Sequence, residues 1–423
     1  MRLPARAFVI AALGFVAGCG GLQSPISAPS AMTHASAMAP ARTIVHHIRT
    51  ASPSYRVLYS FHRSGNDGEI PYAGLIDVKG MLYGTTTSGG TYGDGAVFSI
   101  STAGTEHVLH SFGGLPDGAL PYAGLIDAKG TLYGTTFRGG TYGKYGYGTV
   151  FSISTAGTEH VLHNFGSGSD GVSPYAGLID VKGRLYGTTR YGGTYDPSYG
   201  GNGTVFSIST AGREHVLHSF GGRPDGAYPD AGLIDVKGAL YGTTSGGGAY
   251  GNEGSSPYRL GGTVFSVSTA GTEYVLHSFG NASDGNSPYA GLIAAKGTFY
   301  GTTSTGGSGC GSYGCGTVFS INTTRKERVL HSFGGDSDGA RPHASLIDVK
   351  GTLYGTTGDG GRYGLGTVFS ISAAGSEHVL HSFGSGSDGN RPYASLIDEN
   401  GTLYGTTIAG GKHGSGTVFA LKP

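Results

Sequence analysis

Residues 161–209 read VLHNF, GSGSDGVSPYAGLIDVKGRLYGTT, RYGGTYDPSYGGN and GTVFSIS in succession. The same unit, with small changes, is written seven times along the chain. The proline that opens its PxAxLI segment falls at Pro71, Pro121, Pro174, Pro229, Pro288, Pro342 and Pro392, at intervals of 50, 53, 55, 59, 54 and 50 residues. Between the Thr-Thr of LYGTT and the following TVF (Ala96-Val97-Phe98 in the first unit) lie 9, 12, 14, 18, 13 and 9 residues in the same six units. The remainder is 41 residues in every unit. A fixed period with one variable insertion marks a repeated supersecondary unit with a single adaptable edge.

Four strand-like runs occupy each unit. AGLID passes through a Lys-Gly turn (Asn400-Gly401 in the last unit) into LYGTT, and TVFSIS passes through TAGTE into HVLHSF. Runs of five or six apolar and β-branched residues joined by short Gly-bearing turns make antiparallel hairpins. Seven such four-stranded units predict an all-β fold, a seven-bladed β-propeller of antiparallel blades. The first run, Val57–Phe61, has no blade before it, and the last, Thr417–Leu421, has no fourth strand after it. One-plus-three closure answers both, the N-terminal strand completing the seventh blade and removing two exposed edges.

Composition agrees. Gly is 83 of 423 residues without a three-residue period, Trp is absent, and 27 basic residues balance 27 acidic ones. That charge balance provides no footprint for nucleic acid.

Residues 1–18 read as an export signal. Arg2 and Arg6 precede an apolar run at 7–16 that is too short to span a bilayer. The run ends in Val16-Ala17-Gly18-Cys19, which looks like a lipobox with Cys19 as the lipidated residue; an ordinary secretory signal is the alternative. Residues 19–54, rich in Ser, Ala and Pro, read as a flexible stalk, and residues 55–423 as the propeller. The expected location is the bacterial cell envelope, exported and lipid-anchored, facing the periplasm or the exterior. In that oxidising setting Cys310 and Cys315, in one loop, are expected to form a disulfide.

The recurring YGTT and GTVF pairs, such as Tyr133–Thr136 with Gly148–Phe151, resemble the GloVer tandem-repeat proteins across residues 55–423. These are exported bacterial proteins with varied envelope anchors. The resemblance implies no particular activity. Gly139-Gly140 ahead of Tyr142 is also similar to kelch blades, but without their Trp, so that likeness is architectural.

Because strand direction alternates, the variable loops and the SF-to-Pro connections share one face, and the short constant turns share the other. The variable loops carry the candidate ligand-binding residues Tyr92, Asp94, Tyr142, Lys144, Tyr195, Asp196, Tyr250, Glu253, Arg259, Asp359, Arg362 and His413. Tyr presents a flat ring and a hydroxyl suited to sugars and peptides; packing over the rim is its competing role. The 41 constant residues are expected to be scaffold, and AGLI or ASLI at each inner strand to leave only small apolar groups at the channel.

Seven Asp-Gly pairs, at Asp67, Asp117, Asp170, Asp225, Asp284, Asp338 and Asp388, read as turns. Calcium at those carboxylates is the alternative; otherwise no cofactor and no metal site is expected. The VLHSF histidines lie in different blades, too far apart to share one ion, and are expected to pack between blades with locally bonded rings. The Glu of TAGTE reads as part of a solvated face. The sequence contains no nucleophile–base set, no H-E-x-x-H and no phosphate loop opening a helix. The function read from it is a non-catalytic, monomeric envelope propeller that binds a protein or polysaccharide. The alternatives are a polysaccharide hydrolase or lyase using acids of the long loops, and a purely structural surface protein.

Overall fold

The computed structural model describes residues 52–166, 169–194, 200–251, 261–280, 283–322, 324–384 and 386–423. The signal, Cys19 and nearly all of the stalk, and the loop residues Tyr195, Asp196, Glu253 and Arg259, lie outside the described residues.

The first unit sets the pattern. Strand β1 (Ser54–Ser60) leads to the short β2 (Gly68–Glu69), the inner strand β3 (Ile76–Val78) and β4 (Met81–Thr86). After β5 (Ser88–Gly89) come β6 (Ala96–Ser101) and the outermost β7 (Glu106–Ser111). The blade is ordered β3-β4-β6-β7, all antiparallel, while β2 and β5 pair separately at its edge. Six further four-stranded sheets complete a seven-bladed propeller. Strand β1 pairs antiparallel with the last strand, Thr417–Lys422, and is the outer strand of the seventh blade.

Local chemistry explains the repeat. Lys79 and Gly80 both take positive φ, 56° and 84°, which suits a two-residue hairpin turn between β3 and β4. Gly84 pairs with Phe98 across the blade, and the Phe ring lies over it. A Cβ on Gly84 would fall 2.6 Å from Phe98 Cζ and 2.9 Å from Leu75 Cδ2, so YGTT needs its glycine for packing. Phe98, Phe151, Phe206, Phe265, Phe319 and Phe369 are all fully buried, each contributing about 1.5–3 kcal/mol through burial.

The core lies between blades. Tyr83, Val97 and Phe112 of the first blade pack on Leu125, Leu132 and Phe151 of the second. At the closing joint, Leu75, Leu82 and Phe98 meet Tyr404 and Val418. The first Thr of each Thr-Thr clasps the next blade: Thr85 Oγ1 donates to Ala123 O at 2.9 Å, and Thr135 Oγ1 to Ala176 O at 3.0 Å. The seventh such bond, Thr406 Oγ1 to Ala73 O at 3.0 Å, returns to the first blade. Hydroxyls that would cost free energy if buried unpaired therefore serve as a buried belt around the ring.

Candidate functional site

The variable face is organised by an arrangement common to all seven units. The residue before each inner proline takes the left-handed conformation: Ile70, Leu120, Ser173, Tyr228, Ser287, Arg341 and Arg391 have φ between 53° and 59°. For non-glycine residues, and for a β-branched Ile above all, this backbone is costly and persists only where its surroundings impose it. Here two hydrogen bonds impose it. Leu120 N donates to Asp94 O of the preceding loop at 2.8 Å, and Leu120 O accepts from Phe137 N at 3.1 Å. Corresponding bonds hold Ile70 between Ser415 and Thr87, and Ser173 between Tyr147 and Arg190. Three positions per unit are thereby fixed at the channel mouth: before the proline, after it, and after Thr-Thr.

The position after the proline holds Tyr72, Tyr122, Tyr175, Asp230, Tyr289, His343 and Tyr393. Their rings form an arc. Tyr122 stacks on Tyr175 with centroids 4.8 Å apart, and Tyr72 meets Tyr122 at 5.2 Å, Tyr175 at 6.0 Å and Tyr393 at 5.6 Å. His343 continues it, 4.7 Å from Tyr393 and 5.4 Å from Tyr289. Asp230 takes the remaining ring position. Its carboxylate is fully buried, bonded to Arg190 Nη1 at 3.0 Å and to Ser245 Oγ at 2.6 Å. The Arg190 guanidinium lies 5.2 Å from the Tyr175 centroid and 5.5 Å from that of Tyr191. Cation–π contact and ion pairing thus share one cation.

These environments set the protonation states. Burial raises the Tyr72 hydroxyl to about 12, and burial with the nearby Tyr72 raises Tyr175 further. Burial lowers His343 to about 4, leaving it neutral at pH 7. Burial also opposes the Arg190 charge, but Asp230 holds that guanidinium protonated above its ordinary range. The mouth therefore offers aromatic faces and neutral hydroxyls, with the Arg190 cation committed to Asp230. A tyrosine with so high a pKa is a poor base near neutral pH.

A cleft of about 450 Å³ adjoins this floor, lined by Phe137, Arg138, Lys144, Tyr145, Tyr147 and Tyr191 among others. Phe137 links the two, 5.4 Å from Tyr122 and 6.0 Å from Tyr175. Tyr145 is 64% exposed, with Lys144 Nζ 5.0 Å from its ring centroid. Behind the floor the channel, about 280 Å³, is lined by Gly74, Leu75, Ile76 and their equivalents.

The sequence expectations need two corrections here. Small apolar groups do line the channel, but its mouth is aromatic. The constant-length segments, expected to be scaffold alone, supply that mouth through the three positions that flank the proline and follow Thr-Thr. Among the loop candidates, Lys144 enters the cleft. Tyr92, Tyr142 and Tyr250 are exposed in their own loops, and Asp94 carries the carbonyl that holds Leu120. Asp359 pairs with Arg341 at 3.1 Å and lies 3.9 Å from Arg391; Arg362 lies over Tyr363; His413 stacks on His62 at 3.8 Å. Cys310 and Cys315 form a disulfide with Cα atoms 5.4 Å apart, and Cys315 O accepts from Arg341 N at 2.8 Å. That bridge stiffens a loop which holds one of the seven mouth residues.

A second polar feature lies at the blade joints. Each VLHSF histidine bonds the Asp of its own Asp-Gly pair, as in His110 Nε2 to Asp117 Oδ2 at 3.0 Å and His218 Nε2 to Asp225 Oδ2 at 3.1 Å. Asp117 also accepts from Gly113 N and Gly118 N, the bonding expected of a turn. In β1 Tyr59 stands in for the histidine, its hydroxyl donating to Asp67 at 3.0 Å. The Glu of TAGTE faces this pair from the next blade, contrary to its reading as solvated. Burial, and then Asp117, raise Glu159 to about 7; Glu106, Glu214, Glu273, Glu327 and Glu377 also reach about 7, with burial as the main cause.

The model of the Gloeobacter/Verrucomicrobia repeat matches residues 31–257 and 252–423. No curated protein matches the chain. Among solved structures, a europium-containing methanol dehydrogenase is similar at 10% identity and a TM-score of 0.49, covering 87% of this chain and 93% of that one. An ulvan lyase of polysaccharide lyase family PL25 is similar at 11% identity and a TM-score of 0.48, covering 87% and 95%. A gluconolactonase from Xanthomonas campestris is similar at 16% identity and a TM-score of 0.36, covering 65% and 78%.

Proposed function

The chain belongs to the Gloeobacter/Verrucomicrobia repeat family, and from that premise we propose that it is a non-catalytic cell-envelope propeller that binds a polysaccharide on its variable face. The observation that carries this reading is the continuous aromatic surface from Tyr72 and Tyr122 through Tyr175 and Phe137 to the cleft at Tyr191. Sugar rings present flat C–H faces rimmed by hydroxyls, which match aromatic faces carrying phenolic hydroxyls. Neutral His343, the high-pKa tyrosines and the neutralised Arg190 favour binding over proton transfer. The hydrolase or lyase alternative needs acids of the long loops, of which Asp196 and Glu253 lie outside the described residues.

The test is a screen of the purified protein against soluble glycans and polysaccharides, with affinity electrophoresis of any hit. Tyr145→Ala with Tyr147→Ala is expected to weaken binding by about tenfold or more, the loss of one or two stacking contacts. Unchanged affinity would remove the cleft from the site, and release of reducing ends or unsaturated products would replace binding with catalysis.

The proposed tether is the lipid on Cys19, which would hold the protein at the membrane without a spanning segment. Cys19→Ala is expected to move the protein from the membrane fraction to the soluble one; unchanged fractionation would exclude the lipid.

A further inference from the structure

The joints between the first and second blades and between the third and fourth bring together one imidazole and two carboxylates. His110, Asp117 and Glu159 place their ligand atoms within 4.8 Å of one another, as do His218, Asp225 and Glu273. Two of the three groups already bond each other, but Oε1 of Glu159 and of Glu273 is buried and accepts no hydrogen bond among the described residues. The same oxygen is unpaired in Glu106, Glu214, Glu327 and Glu377, so it is the closeness of all three groups that singles out these two joints. A buried acceptor left unpaired costs about 1–3 kcal/mol, and more when it is charged. The arrangement recurs, so a local accident in one joint does not account for it.

We propose that these two joints are binding sites for a first-row divalent cation of the zinc class. The ligands would be His110 Nε2, the Asp117 carboxylate and Glu159 Oε1 in one, and His218 Nε2, the Asp225 carboxylate and Glu273 Oε1 in the other. One nitrogen and two oxygen donors form a three-ligand set of the kind zinc accepts, with a fourth position for water. Calcium, which takes six to eight oxygens, is poorly served by three protein ligands of which one is nitrogen. The ion takes the place of the Nε2 proton that now bridges His to Asp: a neutral imidazole carries that proton on Nδ1 instead, whereas an imidazolium, like a protonated glutamate, releases one to solvent. Because Glu159 and Glu273 come from the neighbouring blade, each ion would clamp two blades.

The closing joints supply internal contrasts. The joint between the seventh and first blades has Tyr59 in place of the histidine, bonded to Asp67 and facing Glu106. The joint between the sixth and seventh has Tyr55 in place of the glutamate, stacked on His381 at 3.8 Å. Neither offers the full trio.

The experiment is titration of the EDTA-treated full chain with zinc chloride, read by calorimetry and thermal melting. At least two equivalents are expected to bind with a rise in melting temperature and release of protons. Glu159→Gln and Glu273→Gln, which keep shape and remove charge, should each remove one equivalent or weaken it by about tenfold or more, since even outer-shell losses cost that much. Absence of binding, or a stoichiometry and affinity unchanged in the double variant, overturns the proposal. The second outcome would place the ions elsewhere, on exposed histidines such as His107 and His160 or at the joints of His163, His277 and His331. Cobalt(II) on the wild-type protein gives a readout that needs no variant. An intense four- or five-coordinate visible spectrum supports the sites, and the weak spectrum of the hydrated ion overturns them.

Discussion

Asp230→Ala is expected to lower folding stability by about 3–5 kcal/mol, the cost of leaving a buried cation without its partner. The Asp230 side chain is fully buried and the Arg190 side chain is 17% exposed. Arg190 cannot shed its proton to escape, and removing Asp230 also frees Ser245 Oγ from a 2.6 Å bond. Two tyrosine faces remain against the guanidinium, but cation–π contact recovers only a fraction of a buried ion pair. The companion variant tests the cause: Arg190→Met with Asp230→Leu should regain most of the loss, because well-packed apolar pairs often replace buried ion pairs without penalty. The measurement is the shift in denaturant midpoint for the three proteins. A single variant within about 1 kcal/mol of wild type, the size of an exposed ion pair, would mean that solvent reaches Arg190.

In EDTA, thermal stability should fall as pH rises from about 4.5 to about 7. Glu106, Glu159, Glu214, Glu273, Glu327 and Glu377 are each raised from 4.5 to about 7, mainly by burial. Across that window the folded chain keeps up to six protons that the unfolded chain has already lost. Stability therefore drops with rising pH until the folded carboxyls ionise, and levels off above. His110, raised by its bond to Asp117 against the effect of burial, acts in the same sense. Asp117 acts oppositely: burial raises it, but the bonds from His110 and Gly118 prevail and leave it lowered. Its contribution is lost only as pH falls through that lowered value. The six carboxyls are only partly buried, so each contributes modestly, and the size of the effect rests on their number. Melting temperatures between pH 4.5 and 8 decide the matter. Glu→Gln at all six positions should flatten the curve, and a wild-type melting temperature that rises across the window would rule out the buried-carboxyl account.

The fold was legible because the repeat states it seven times. Length invariance located the one adaptable edge, and the unpaired runs at the two ends indicated where β1 belongs. The mouth was less legible because Tyr72, Asp230 and His343 sit inside segments that look constant. Alignment of the seven units would have exposed them, since the position after the proline reads Tyr, Tyr, Tyr, Asp, Tyr, His, Tyr while its neighbours barely change. The left-handed residue before each proline has no such signature, because Ile70 and Leu120 are poor candidates for that conformation and tertiary hydrogen bonds impose it. The His–Asp bonds had a usable clue in the constant spacing of seven residues from His110 to Asp117 and from His381 to Asp388. Glu159 had none: its partners belong to another blade, and only the angle between blades brings them together.

The pairing of Ser54 with Lys422 places the first and last strand residues of the propeller side by side. Both lie at the end of the seventh blade marked by the short constant turns, away from the aromatic floor. A linker of a few residues from Pro423 back to Ser54 would therefore make the ring endless, and the chain could be reopened at any other constant turn. A resin, a reporter or a second protein attached beside Ser54 or Lys422 would meet the side of the constant turns, leaving the floor and its cleft free to sample whatever passes.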